Sequence, residues 1–154
     1  MLPGPRKGLL QKHLFSRRHP APLDPAYRTI EAIVSTGADV VRPGYVERLD
    51  LRGADLTQLI GGPVLDGHRA TSTGDQLGVI EAAELRTEGD WVRIKFHSND
   101  AALTVLAEIE GFTLRGLSIG YKVKKWKETR EGGRLVRTGT PVLFEVSLAP
   151  PSCR

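Results

Sequence analysis

Cysteine is nearly absent from this sequence, with Cys153 the only one among 154 residues. A single thiol excludes an intrachain disulfide framework and a cysteine-based zinc cluster, and it is typical of proteins from reducing compartments. No apolar stretch approaches the roughly 20 residues that a membrane-spanning helix needs. No apolar segment with a small-residue cleavage site follows the basic start. We therefore expect neither a membrane protein nor a secreted one.

Acidic residues are missing from the chain before Asp24. Residues 1–26 carry five basic residues and five prolines: Arg6, Lys7, Lys12, Arg17, Arg18, Pro3, Pro5, Pro20, Pro22 and Pro25. Because Pro-rich polar sequence does not form a packed core, we predict that residues 1–26 are a flexible basic arm. Such an arm has the charge to contact nucleic acid or an acidic partner, and a solvated extension without a partner is an equal alternative.

The rest of the chain has the composition of an ordinary globular domain. Hydrophobic residues make up 40% of the sequence and charged residues 26%, with a net charge of +4. A chain of this size can bury about two-thirds of the surface that its unfolded form exposes. We predict one domain over residues 27–154.

Alternation of apolar and polar residues predicts strands over much of this domain. The period of two is found in residues 30–34, in two runs on either side of 88–90, and in residues 117–123 and 142–148. In the last of these runs the predicted apolar face is Val142, Phe144, Val146 and Leu148. The runs on either side of 88–90 predict a β-hairpin.

Two segments are predicted to be helical. Ser98 or Asn99 can cap a helix, which would then bury an inner stripe formed by Leu103, Leu106 and Ile109. A short helix is predicted around residues 45–51, after a turn at Pro43-Gly44. Because strands outnumber helices and follow one another in hairpin order, we predict an α+β fold. It would consist mostly of antiparallel β-sheet or barrel with a few flanking helices.

Three residues have the side chains that acyl-transfer catalysis uses: a base, a nucleophile and a carboxylate to orient the base. They are His68, Ser118 and Glu145. Ser118 and Glu145 lie on the faces of their strands opposite the apolar stripes. If those strands pair, the two side chains are cross-strand or diagonal neighbours about 5–8 Å apart, a gap that a histidine can bridge. Gly67 and Gly120 are expected to leave room for a substrate backbone.

Spacing alone leaves several interpretations of these residues open. Ser118 and Glu145 are also compatible with ordinary polar residues on a solvated strand face, and His68 with a hydrogen-bonded structural histidine. His97 or Asp66 could orient His68 in place of Glu145. No pair of histidines outside the arm has the short spacing that zinc sites favour, and we expect neither a metal nor a cofactor.

Three segments in order resemble the prohead proteases of tailed bacteriophages, which are related to the herpesvirus assemblin proteases. They are "GPVLDGHR", "AEIEGFTLRGLSIGY" and "LFEVSLAP", within a resemblance that covers roughly residues 32–151. The resemblance implies an assemblin-like fold and a serine endopeptidase. It makes His68 the general base, Ser118 the nucleophile and Glu145 the third triad member. Because it places the nucleophile in the "SIG" strand, Ser147 is interpreted as structural.

The same resemblance implies partners and a location. The substrates would be the phage scaffold protein, the major capsid protein precursor and the protease itself, inside the assembling prohead in the host cytoplasm. A homo-oligomer is an open expectation. One alternative is a non-catalytic scaffold-binding module of the same fold. Another is a basic nucleic-acid-binding domain, for which Trp126 within "KVKKWK" is the one basic-aromatic cluster.

Overall fold

Most of the described chain belongs to one β-sheet. The computed structural model describes residues 6–7, 28–111, 113–114 and 116–149. The strands within them are β1 (Arg6–Lys7), β2 (Thr29–Ser35), β3 (Val40–Arg42), β4 (Tyr45–Leu49), β5 (Pro63–Asp66), β6 (Gln76–Arg86), β7 (Gly89–Phe96), β8 (Gly116–Glu131) and β9 (Arg134–Ala149). One α-helix, α1 (Asp100–Glu110), and short 3-10 helices at Leu51–Gly53 and Thr73–Asp75 complete this part. Apart from Arg6–Lys7, the predicted arm lies outside the described residues.

The sheet is built around β9. Its strand order is β1-β8-β9-β5-β6-β7-β2. Strand β9 pairs antiparallel with β8 along its length, and on its other edge it pairs parallel with β4 and then with β5. Strand β2, at one end of the sheet, contacts β8 near the other, so the sheet curls into a half-barrel. The predicted, mostly antiparallel sheet is confirmed, but only one α-helix flanks it in the described residues, so this part is mainly β.

The predicted apolar stripe of β9 is wrong at its centre because the strand contains a β-bulge. Tyr121 of β8 pairs with Leu143, whereas the preceding Gly120 pairs with Glu145. Phe144 is therefore the extra residue, and the side chains change faces across it. Leu143 is fully buried in the core while Phe144 is only partly buried, the reverse of the expectation. Glu145 points away from the core as predicted, and the bulge allows Leu143, two residues before it, to face the core.

The predicted short helix around residues 45–51 is also wrong. This segment forms strand β4, which lies between β3 and β9, and only the following Leu51–Gly53 is a 3-10 helix. Pairing on both edges buries the β4 side chains Val46, Glu47 and Leu49, and this tertiary environment outweighs local propensity. The predicted turn is confirmed, since Gly44 has a φ of 83° in the tight connection between β3 and β4.

Helix α1 begins as predicted, and two residues of its predicted inner stripe are confirmed, since Leu106 is buried and Ile109 packs against the core, whereas Leu103 does not. The Asn99 side chain accepts a hydrogen bond of 3.0 Å from the backbone N–H of Ala102, which caps the helix. Ala102 and Leu106 are buried against the sheet, while Leu103 is 45% exposed. The helix contacts β6 and β7. The small side chain of Ala102 permits this close approach, which turns the larger Leu103 toward solvent.

One buried acid lies outside the serine strand, in β7. Asp90, in the β6–β7 hairpin, pairs with Ser35 of β2 and is fully buried. Neither of its carboxylate oxygens has a hydrogen-bond partner within the described part of the chain. Burial without compensation raises the pKa of Asp90 to about 7. The charged form of Asp90 therefore destabilises the folded state.

Replacing Asp90 should stabilise the protein only at pH values at which its carboxyl group is ionised. The pKa of Asp90 is raised from 3.8 to about 7, so the folded state holds a proton that the unfolded state releases between these values. The free energy of unfolding should therefore fall as pH rises through this window. Asp90→Asn should raise it by about 2–4 kcal/mol at pH 9 and by little at pH 4, measured by urea unfolding. An equal gain at both pH values would contradict this, and Glu88→Gln on the exposed turn is the control.

Candidate active site

Strand β8 carries Ser118 on the face that points away from the core. Leu117, Ile119 and Tyr121 point into the core, as the alternation predicts. Ser118 lies opposite Ser147 of β9 and is only 4% exposed. The alternative of a solvated strand face is therefore wrong for Ser118, because this face is covered in the folded chain.

Glu145 lies diagonally from Ser118 and occupies the space beside Gly120. A Cβ atom at position 120 would overlap the Cγ and the carboxyl group of Glu145. The expectation that Gly120 leaves room for a substrate backbone is therefore wrong. The missing side chain makes room for a buried carboxylate, which regular pairing of β9 with β8 places on this face.

His68 is presented by a tight turn that follows β5. Gly67 and His68 have φ values of 58° and 62°, and the N–H of Arg69 donates to the carbonyl of Asp66 at 3.0 Å. Two consecutive positive φ values are typical of a type I′ turn, which glycine adopts freely and histidine only occasionally. The N–H of Gly67 also donates to the carbonyl of Leu148 at 2.9 Å, which ties the turn to β9. The histidine is therefore held beside the serine strand by backbone pairing.

The three predicted site residues meet in one hydrogen-bonded chain. His68 Nε2 lies 2.7 Å from Ser118 Oγ, and His68 Nδ1 lies 2.6 Å from Glu145 Oε1. An ionised carboxylate only accepts hydrogen bonds, so we assign the ring proton to Nδ1. Nε2 is then free to accept the hydroxyl proton of Ser118. The side chains of His68 and Glu145 are 13% and 7% exposed, which shields their contact from water.

A fourth residue, Ser147, contacts two of these three. It is fully buried, its Oγ accepts the backbone N–H of His68 at 3.0 Å, and its hydroxyl donates to Glu145 Oε2 at 3.5 Å. The sequence interpretation of Ser147 as structural did not include these contacts. One feature of the sequence could have indicated them: Ser147 follows Glu145 by two residues, so both side chains lie on the same face of the strand.

The two rival orienting groups lie elsewhere. The Asp66 carboxylate pairs with the guanidinium of Arg69 on the exposed side of the turn. His97 follows β7, which β5 and β6 separate from β9, and its backbone N–H donates to the carbonyl of Leu77. Of the three candidates, Glu145 is the one that hydrogen bonds to the His68 ring.

The basic-aromatic cluster around Trp126 lies in the β8–β9 hairpin. Trp126 is partly buried, and a Cβ atom on Gly139, across the β8–β9 hairpin, would lie 2.8 Å from its ring. Its ring thus packs on the hairpin itself, which leaves less of it for stacking on a base.

Within the described ranges, His, Cys, Asp and Glu form no group of three that could hold a metal ion. No α-helix there has the length and apolar character needed to cross a bilayer.

Comparison with known proteins gives a structural likeness. The sequence matches no protein-family model and no curated protein sequence. The structure is similar to that of the capsid assembly protease gp21 of bacteriophage T4, with a TM-score of 0.50. The match covers 95% of this chain and 94% of that one at 15% sequence identity. At that identity the likeness shows a shared fold, and the fold is one that a phage capsid protease has.

Filling the space beside Gly120 should displace Glu145 from His68. We expect Gly120→Ala to lower the free energy of unfolding by about 1–3 kcal/mol because the site is overpacked. The NMR resonance of the His68 Nδ1 proton should also move as the carboxylate shifts. Gly74→Ala is the matched control, since a Cβ there meets only Ser72 Oγ at 3.6 Å. An unchanged His68 resonance in Gly120→Ala would contradict the tight fit.

Proposed function

We propose that this protein is a serine endopeptidase with Ser118 as nucleophile, His68 as general base and Glu145 as the residue that orients the base. The observation that carries the proposal is the hydrogen-bonded chain from Ser118 Oγ through both ring nitrogens of His68 to Glu145 Oε1, with distances of 2.7 and 2.6 Å. Its three members come from separate strands and turns. A nucleophile, a base and an orienting acceptor in this order are what acyl transfer requires.

The first half of the proposed reaction forms an acyl-enzyme. Ser118 Oγ attacks the carbonyl carbon of the scissile peptide bond while its proton passes to His68 Nε2. The imidazolium that results is stabilised by the Glu145 carboxylate at Nδ1. As the tetrahedral intermediate collapses, the C–N bond breaks and the leaving amine takes the proton from Nε2.

The second half hydrolyses this ester. A water molecule gives a proton to His68 Nε2 and its oxygen attacks the acyl carbon. The bond to Ser118 Oγ then breaks, Oγ recovers the proton from Nε2, and the carboxylic acid product leaves. Glu145 keeps the same ring orientation in both halves, so one hydrogen bond at Nδ1 serves both proton transfers.

We further propose that the substrates belong to phage head maturation. The support is twofold: the segments around the three site residues resemble prohead proteases, and the fold is similar to that of a capsid assembly protease. The substrates are then the scaffold protein, the major capsid protein precursor and other copies of this chain. The protein then acts inside the prohead in the host cell.

A non-catalytic scaffold-binding module is the alternative that the experiments below separate. A protein that only bound the scaffold would have no need of a buried chain of hydrogen bonds ending on a serine. The nucleic-acid-binding alternative loses support because the Trp126 ring packs on its own hairpin.

Removing the nucleophile should abolish proteolysis while leaving the fold intact. When the native chain is co-expressed with the capsid and scaffold precursors of the same phage, the precursor bands should shorten on a gel. With Ser118→Ala the rate should fall on the order of 10⁴–10⁶-fold, and a fluorophosphonate probe should no longer label the protein. Ser35→Ala is the matched control, because Ser35 is also buried but its hydroxyl has no partner within the described ranges.

The outcome separates the two candidate functions. Cleavage by both chains would show that Ser118 is not the nucleophile. Intact precursors with both chains, together with binding of the scaffold, would favour the non-catalytic module.

Removing the charge of the orienting group should slow catalysis without removing the nucleophile. Glu145→Gln keeps the shape of the side chain, but its amide cannot stabilise the imidazolium. We expect kcat to fall on the order of 10²–10⁴-fold with little change in KM. His97→Ala should leave kcat unchanged, since its side chain is not part of the hydrogen-bonded chain. The opposite ranking in a peptide-cleavage assay would assign the orienting role to His97.

A further inference from the structure

We infer that Ser147 is a positioning residue for the base, which holds both His68 and Glu145 in the geometry that the proposed reaction needs. This inference rests on the proposed function. Ser147 takes no part in bond making or breaking. Its hydroxyl oxygen contacts both the backbone N–H of His68, in the turn after β5, and the carboxylate of Glu145, in β9.

The first contact stabilises an uncommon backbone conformation. His68 has a φ of 62°, in the left-handed region that a residue with a Cβ adopts only at an energetic cost. Its N–H does not pair with the sheet but donates to Ser147 Oγ at 3.0 Å. Without that acceptor, this partly buried N–H would lose its hydrogen-bond partner, which disfavours the conformation. The Ser147 hydroxyl therefore favours the turn that aims the imidazole at Ser118.

The second contact divides the carboxylate of Glu145 between two donors. Oε1 faces His68 Nδ1 at 2.6 Å, and Oε2 receives the Ser147 hydroxyl at 3.5 Å. Because the hydroxyl oxygen accepts from His68, its single proton is free to point at Oε2. The carboxylate plane is thus set at both ends. A carboxylate that rotates would lose the short contact to Nδ1 and with it the orientation of the ring.

The role depends on the side chain and not on the strand. The Ser147 backbone pairs with Ser118 of β8 on one side and with Leu65 of β5 on the other, and an alanine preserves both pairings. Glu145 also keeps the space that the missing side chain of Gly120 leaves for it. A loss of activity in Ser147→Ala would therefore come from the hydroxyl.

The experiment compares Ser147→Ala, Ser147→Thr and the control Ser35→Ala in a peptide-cleavage assay. Ser147→Ala should lower kcat about tenfold to a hundredfold with KM little changed, because ground-state substrate contacts are untouched. Ser147→Thr keeps the hydroxyl and should recover most of the lost kcat. An unchanged kcat in Ser147→Ala, or an equal loss in Ser35→Ala, would overturn the inference.

A second measurement tests Ser147 independently of any protease activity. In the Ser118→Ala background, the NMR resonance of the His68 Nδ1 proton reports its hydrogen bond to Glu145. Adding Ser147→Ala should shift or broaden that resonance, and adding Ser147→Thr should preserve it. If the native chain cleaves no peptide and reacts with no fluorophosphonate, the proposed function fails, yet this resonance still decides whether Ser147 orients the pair. A resonance identical in all three proteins would overturn the positioning role.

Discussion

The backbone pairing of β9 with its neighbours is the interaction on which the rest of this structure depends. Strand β9 shares hydrogen bonds with β8 on one edge and with β4 and β5 on the other. The serine comes from β8, the carboxylate from β9 and the histidine from the turn after β5. A sheet holds neighbouring strands about 4.8 Å apart, which is the separation that a chain of short side-chain hydrogen bonds can span. The candidate site is therefore a product of strand order.

The bulge in β9 adds the one adjustment that a regular strand could not supply. In a regular strand Glu145 would share a face with Leu143, whose side chain is buried in the core. A carboxylate on that face would have to be buried among apolar side chains, at a cost of several kcal/mol. Regular pairing with β8 places Glu145 on the face of Ser118, where Gly120 leaves space for it, and the extra residue at Phe144 lets Leu143 face the core on the other side. The bulge and Gly120 together allow Glu145 to be buried beside Ser118 while Leu143 stays in the core.

The buried polar side chains of this protein affect its stability in opposite ways, depending on whether they have hydrogen-bond partners. Glu145 and Ser147 are buried, and their side chains share one connected set of hydrogen bonds that includes the His68 backbone. Asp90 is equally buried, but its carboxylate has no hydrogen-bond partner among the described residues, and its pKa is raised to about 7. The first arrangement orients side chains at little net cost. The second destabilises the fold whenever the acid is charged.

The sequence alone determined five of the strands, β2 and β6 to β9, and the three residues of the candidate site, because alternation and residue type are local properties. It did not determine that β4 is a strand, that Leu103 faces solvent, or that Phe144 is a bulge, since each of these follows from pairing or packing with distant segments. Only the tertiary structure decided that His68 meets Glu145 instead of Asp66 or His97, and that Gly120 accommodates a side chain of the protein itself. The physical reason is that a hydrogen bond between residues 77 positions apart is fixed by strand order and register, which no local pattern encodes.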